Sequence, residues 1–369
     1  MRYGNLRRVS LFGLLILIVG CFGFPGGQVV DNPRQPKNPE AGRVLVLEEA
    51  LRIKDTGGKF YFGSPIDVHV DPEGRIYYQE MGKLLVFDSA GGYLKNLYKK
   101  GEGPGELNNN LNDVLIQGDE IIMASSNFNK IIRIKRDGTF IEEIRPQGTF
   151  WNLLGFWKDR YFVTRLDRGT FERKSQLVEE DFSVYEVGRD GKMIKTENRF
   201  PVTISRFFGN RVGSSMTVSR IKTCPLSLSK VALIHSPAYS VKVLDLDKSK
   251  VVQDIRRDYR RLKYSGPWKS SRGGTMPQPE FQNDTHDILV RGDQIWVVTC
   301  TYEKDMGLLT DVFDMDGVYL DNFYIPVHNV KRADHVFAPM AIGGEFLYVI
   351  ERGEEDLFSI AKYSLPAGL

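Results

Sequence analysis

Three aspartates stand at matching positions along this 369-residue chain. Asp67, Asp113 and Asp287 each open a short apolar strand pattern. They precede the anchors of the following apolar strands, Ile76, Ile121 and Ile295, by nine, eight and eight residues. If those strands line one axis, the three carboxylates gather at one mouth. Hard oxygen ligands of this kind would suit a divalent cation such as Ca²⁺ or Mg²⁺. The competing reading is that each carboxylate accepts backbone N–H bonds where its strand begins. The second reading is preferred: no metal site is assigned, and no cofactor is expected, with Ca²⁺ as the ion the cluster would otherwise take.

Histidine is scarce, with five in the chain. His69, His286 and His335 fall on or beside the same class of strand, which raises the question of zinc. Side chains two apart on a strand share a face and those one apart do not. His69 can therefore face with Asp67, but His286 cannot face with Asp287. That mismatch in depth argues against a zinc centre. No Gly-x-Ser-x-Gly elbow and no His-Glu-x-x-His helix motif is present. Arg206, next to Phe207 and Phe208, and Trp268 fall in irregular segments. Arg206 is expected to join the three aspartates in a ligand-binding mouth. An Arg with exposed aromatics suits a glycan or a peptide, with buried packing the preferred role for any one of these residues taken singly.

The elements that must position these residues repeat. The clearest copy runs from Asp113 through the Gly118-Asp119 turn to Met123, then from Ile131 to Ile134, then to Asp137-Gly138. A second copy starts at Asp287, turns at Gly292-Asp293 and reaches Asp316-Gly317. Asp-Gly supplies the positive φ that tight hairpins require. Second-strand anchors recur at Ile76, Ile121, Tyr161, Leu233, Ile295 and Leu347, with spacings of 45, 40, 72, 62 and 52 residues. The first two spacings fit blades of a radial β architecture. The longer ones imply insertions near 198–229 and 264–285. The last module lacks an outer strand, and residues 43–53 have no other home. Pairing the two would remove two ragged sheet edges and lock a ring.

The front of the chain reads differently. Arg2, Arg7 and Arg8 precede an apolar run over residues 11–19, too short to span a bilayer comfortably. Ile18-Val19-Gly20-Cys21 then resembles the lipobox of bacterial lipoproteins, which implies cleavage before Cys21 and lipidation of its thiol. Residues 21–42, rich in Gly, Pro and Asn, read as a flexible tether. The chain carries a formal charge of +3, and its first twenty residues hold three arginines and no acid, so the remainder is neutral. Neutrality gives no support to nucleic-acid binding. The basic run from Arg256 to Lys263 reads as a solvated strand edge in preference to a headgroup contact. Cys224 and Cys300 have no metal-binding spacing. A disulfide between them is left open, with a buried free thiol the preferred state of Cys300.

Between the first two modules, Gly101-Glu102-Gly103-Pro104-Gly105-Glu106-Leu107 resembles the Gly-x-Gly-Pro-Gly-Glu-Phe segment of NHL-like six-bladed β-propeller proteins, many of them bacterial secreted proteins or lipoproteins. Leu107 stands where that segment usually has Phe. The resemblance covers about residues 43–363 by repeat pattern and is tight only over the first two modules. It implies a fold and a binding or scaffolding tendency, not one activity. The expectation is an all-β, six-bladed propeller of four-stranded antiparallel blades over residues 43–369, closed by its own ends. It follows a signal peptide (1–20) and a tether (21–42). It would sit in the cell envelope on a lipid anchor, on the outer membrane or facing the periplasm, and bind a protein or glycan. The alternative is an extracytoplasmic hydrolase or lyase with a metal-assisted site at the channel mouth; a non-catalytic role is preferred.

Overall fold

The computed structural model describes residues 27–369, apart from residues 56, 109–110, 126–129, 168–173, 209–212, 218–220, 236–237, 265, 269–274, 328–330, 333–334, 337 and 354–356. Cys21 and the leader lie outside the described residues. Among the described residues there is no helix. Six sheets form blades that follow one another along the chain, each stepping outward from an innermost strand, and Lys331–Arg332 and His335–Val336 pair as a separate two-stranded sheet before the last blade. Blade 1 consists of Pro65–Val70, Ile76–Glu80, Lys83–Phe87 and Tyr93–Asn96. Blade 2 consists of Asp113–Gln117, Glu120–Ser125, Lys130–Lys135 and Phe140–Ile144.

Blades 3, 4 and 5 depart from four strands. Blade 3 (Leu153–Trp157, Arg160–Asp167, Gln176–Val187, Met193–Phe208) adds Gly213–Thr217 as a fifth. Its third and fourth strands form a long hairpin that continues past Asp167, from Asp181 opposite Pro201 to Gln176 opposite Arg206. This is the expected insertion near residue 198, built as strand. Blade 4 (Lys222–Ser227, Lys230–Ile234, Val241–Asp245, Lys250–Arg257) and blade 5 (Thr285–Arg291, Gln294–Glu303, Gly307–Asp314, Tyr319–Ile325) each gain a parallel outer strand from the front of the chain. Gln28–Asn32 pairs with blade 4 and Arg43–Val44 with blade 5.

Residues 28–42 are therefore not the free tether that their composition implied. Backbone hydrogen bonds carry the path onward: the N–H groups of Lys37, Asn38 and Gly42 donate to the carbonyls of Tyr319, Leu320 and Asn322. Asn32 joins the two blades, donating to Arg256 O (3.0 Å) and Gly317 O (2.9 Å) while accepting from Tyr319 N (2.9 Å). Polar residues that cannot build a core can still satisfy an open sheet edge.

The ring closes as the repeat count required. Blade 6 takes Met340–Gly343, Phe346–Arg352 and Phe358–Ser364 from the end of the chain and Glu48–Ile53 from its beginning. Ile53 lies opposite Ile360 in antiparallel register. Arg52 secures the seam, donating to Glu351 (2.7 Å), Ser359 (2.9 Å) and the Tyr363 hydroxyl (3.1 Å). The six second-strand anchors are all fully buried, because each blade packs both faces against its neighbours. The Asp-Gly turns take the left-handed conformation, as at Gly317 (φ 81°), where Asp314 Oδ1 also accepts from the N–H groups of Asp316 and Val318.

The Gly-x-Gly-Pro-Gly-Glu segment is a corner between blades 1 and 2. Glu106 folds back to accept from Gly103 N (3.0 Å), Leu107 is buried among Tyr98 and Leu111, and the nearly buried Lys130 ammonium caps the carbonyls of Gly103 (2.9 Å) and Glu106 (2.7 Å). Cys224 and Cys300 are both free thiols, and Cys300 is buried.

Candidate functional site

Innermost strands of a radial fold begin at one face, and here Asp67, Asp113 and Asp287 begin theirs. Asp67 lies opposite Gln79, Asp113 opposite Ala124 and Asp287 opposite Val298, so each faces the residue three beyond the second-strand anchor of its blade and all three share one depth. They line one central channel of about 370 Å³. Sequence spacing thus located the mouth. It did not locate the residue that governs its charge. Lys222, first on the inner strand of blade 4, crosses the channel and donates to Asp67 Oδ2 at 2.5 Å. Isoleucine and threonine flank it in the sequence, with no acid nearby, so nothing local marked it.

The three acids are held differently. Asp67 Oδ1 accepts from Val68 N (3.0 Å). Asp113 Oδ2 accepts from Leu153 N (3.1 Å) in blade 3. Asp287 accepts from Ile288 N (2.9 Å) and from Met340 N (3.3 Å) in blade 6. Each is therefore a backbone acceptor at a blade entrance, and two of them bridge to the next blade. Electrostatics then separate them. Burial works to raise the Asp67 carboxyl, but the Lys222 ammonium and His69 outweigh it and hold the group below its ordinary value. Burial raises Asp113 to about 7, against the opposing pull of Leu153 N, Asn152 and Lys222. Burial raises Asp287 to about 6, with Lys222 opposing and the Asp67 charge adding. One ammonium thus faces three carboxyls, two of which titrate near neutrality.

Cys224 also lines the channel, and burial pushes its thiol up to about 12, which disfavours the thiolate there. His69 Nε2 meets Gln79 Oε1 at 3.1 Å, and His286 Nε2 lies 3.3 Å from the backbone of Ala338. Among the described residues no group of three or more His, Cys, Asp or Glu side chains converges as metal ligands. The three aspartates share a mouth without sharing a coordination point.

Arg206 is not at the mouth. It lies on the long hairpin of blade 3, buried in an ion pair with Glu180. A hairpin that rises out of the disc needs its own polar core, and this pair is part of it. Trp268 is held in the loop between blades 4 and 5, where its backbone N–H donates to Gln278 Oε1. The basic run is largely neutralised in place: Arg256 meets Asp254, Arg257 meets Asp311, Arg261 meets Asp284 and Lys263 meets Glu280.

A second hollow opens beside the channel and shares Asn112 and Asp113 with it. It encloses about 910 Å³ between blades 2 and 3, edged by Trp151, Arg165, Asp167 and Tyr185. Trp151 is 36 % exposed, and its ring rests against Phe182, with centroids 5.9 Å apart. Sequence reasoning missed this groove, since Trp151 sits in a connection between modules and only the packing of blade 3 against blade 2 brings it beside Asp113.

Residues 59–211, from just before blade 1 into the blade 3 hairpin, match a family described as a 6-bladed beta-propeller. The chain is a six-bladed β-propeller. Two solved structures share the architecture. A candidate exported protein from Bacteroides fragilis is 11% identical with a TM-score of 0.56, over 92% of this chain and all of that one. A member of a family of unknown function from Bacteroides vulgatus is 11% identical with a TM-score of 0.54, over 88% of this chain and 99% of that one. At that identity the likeness concerns the fold. No curated protein matches the chain.

Proposed function

We propose that this propeller is a lipid-anchored, extracytoplasmic binding module whose channel mouth and adjoining groove take up a polyhydroxylated ligand, a glycan. One observation carries the reading. A half-exposed Trp151 edges a groove whose floor runs, through Asn112 and Asp113, into a mouth of fixed carboxylates and one ammonium. An aromatic face backs the apolar side of a sugar ring, while amides, carboxylates and a guanidinium take its hydroxyls. The lipobox at Cys21 and the structural kinship with a candidate exported protein support an envelope location. The reading is tested by titrating a panel of bacterial and host oligosaccharides calorimetrically. Trp151→Ala should weaken the best binder by roughly tenfold or more, on the scale of a lost aromatic contact of ~1–2 kcal/mol. A wild-type chain that binds no oligosaccharide, or a variant that binds as well as wild type, would sink it.

The Asp113 carboxyl, titrating near 7 in a polar mouth, favours a second reading, an extracytoplasmic hydrolase or lyase using it as general acid or base. Turnover of any bound oligosaccharide that Asp113→Asn abolishes would favour this reading. Binding without turnover would leave the first.

A further inference from the structure

We propose that the outer edge of blade 4 at residues 248–250 faces the lipid surface, and that the mouth holding Asp67, Asp113, Lys222 and Asp287 is turned away from it. The inference rests on the lipid-anchor reading of Cys21 given above. Five residues separate Cys21 from Gly27, six chain steps with a reach of roughly 20 Å at full extension. Gly27 is seated against the propeller: a Cβ there would stand 2.3 Å from the carbonyl carbon of Val252. From it, Gln28–Asn32 runs parallel to Lys250–Arg257, with Gln28 opposite Gln253 and Asn32 opposite Arg257. The strand direction fixes where the anchor departs. Traced backward from Gln28, the chain passes Val252 and heads for the Lys250 end of the strand.

That end of blade 4 lies on the face opposite the mouth. The turn between its third and fourth strands is bonded to the turn between its first and second, through Leu246 N donating to Ser229 O at 2.8 Å. Lys222, at the other end of the first strand, pairs with Ile234 at the far end of the second. The chain thus leaves on the side of Ser229, and Lys222 opens on the side of Ile234. The chemistry of the departing edge fits anionic headgroups. Lys195, Lys248 and Lys250 line a hollow of about 250 Å³ with Glu186 and Glu197; Glu186 is tied to Arg160 at 2.7 Å, the Lys195 ammonium to Asp167 at 2.5 Å and the Lys248 ammonium to Asp245 at 3.4 Å. Leu228, in the nearby turn, is 61% exposed. A short tether, a fixed direction and an edge that presents Lys248, Lys250 and an exposed leucine all point one way.

The test uses the full chain, lipidated in a bacterial host and placed in vesicles containing anionic phospholipid. A soluble acylating reagent is applied to the vesicle-bound and the detergent-dispersed protein, and modified lysines are read by mass spectrometry. Lys248 and Lys250 should lose reactivity several-fold on vesicles, whereas the exposed Lys304, in the connection after the second strand of blade 5 on the mouth side, should keep it. Equal protection of all three, or protection of Lys304 alone, overturns the orientation. A Cys21→Ser chain is the control for the anchor. If it binds vesicles as wild type does, or if wild type does not bind, the anchor reading fails and the orientation falls with it. Binding that depends on Cys21 with the opposite lysine pattern sinks the orientation alone.

Discussion

Two buried charged clusters in this molecule have opposite designs. At the rim between blades 4 and 5, Asp311 is fully enclosed. Arg257 Nε lies 2.9 Å from it, and the hydroxyls of Tyr239 and Tyr319 donate to it at 2.7 Å each. The guanidinium lies about 5 Å from the rings of Tyr239, Tyr259 and Tyr319, and it donates to the carbonyl of Arg34 at 3.1 Å. Burial pushes the Asp311 carboxyl up, opposed by Arg257 and both phenols. At the mouth, three carboxyls share one ammonium, and two of them are raised by burial into the range of physiological pH. The rim cluster matches one charge with one charge and fills the remaining sites with hydroxyls. The mouth leaves charge and hydrogen-bonding capacity open towards a cavity. A buried charge that is closed off serves architecture, and one left under-neutralised beside a cavity is poised for a ligand.

The mouth cluster presupposes a closed ring, since Lys222 of blade 4 reaches Asp67 of blade 1, so the harshest way to break the contrast is to open the ring. Deleting residues 43–53 removes the outer strand of blade 6 and the Arg52 seam. The expected result is loss of cooperative thermal unfolding, read by circular dichroism; a sharp melt at the wild-type temperature would contradict the closure. Next in size is Asp311→Ala, which strands Arg257 and two phenols and is expected to cost about 3–5 kcal/mol in urea denaturation. A loss below about 1 kcal/mol would mean that the rim cluster is no lock.

Lys222→Met should act on a smaller scale and with a pH signature. It removes the cation from three carboxyls, at a cost of about 1–3 kcal/mol at pH 8. The deficit should shrink as pH falls toward 5, because protonated carboxyls no longer need the ammonium. A deficit that is flat with pH would assign Lys222 a packing role instead.

The gentlest change is Asp113→Asn. Its carboxyl titrates near 7 in the folded chain and near 3.8 in the unfolded one. Between these values the folded state holds a proton that the unfolded state has lost. Stability from this group is therefore full below about pH 4, declines as pH rises through 7 and is level above. The asparagine variant should show a shallower decline across that window, with any change at pH 5 of about 1 kcal/mol or less. An unchanged slope would move the neutral titration elsewhere.

The repeat was legible because it has a local cause. Alternating apolar strands, tight Asp-Gly turns and buried anchors recur in one segment after another, and each can be read within a dozen residues. The same local logic placed Asp67, Asp113 and Asp287 at one face, since a residue at the start of an inner strand has a fixed depth. It failed where a partner came from across the ring. Arg206 was a candidate for the mouth from its aromatic neighbours, yet Glu180 holds it from the facing strand of a hairpin longer than any turn signal implied. Lys222 was invisible because Asp67 lies 155 residues away in sequence. The segment 28–42 read as unstructured because it carries too few apolar residues to bury. Its order comes from backbone edges on blades 4 and 5 that composition does not report.

The sequence alone determined six outward-stepping sheets, the use of both chain ends in the last of them, and the face on which the aspartates collect, because strand period and turn chemistry act over short range. Only the tertiary structure decided that one lysine reaches across the axis, that the groove at Trp151 opens into the mouth, and that the front of the chain straps two blades. Those facts depend on which segments become neighbours when the blades pack around one axis, and burial and charge take their values from that packing.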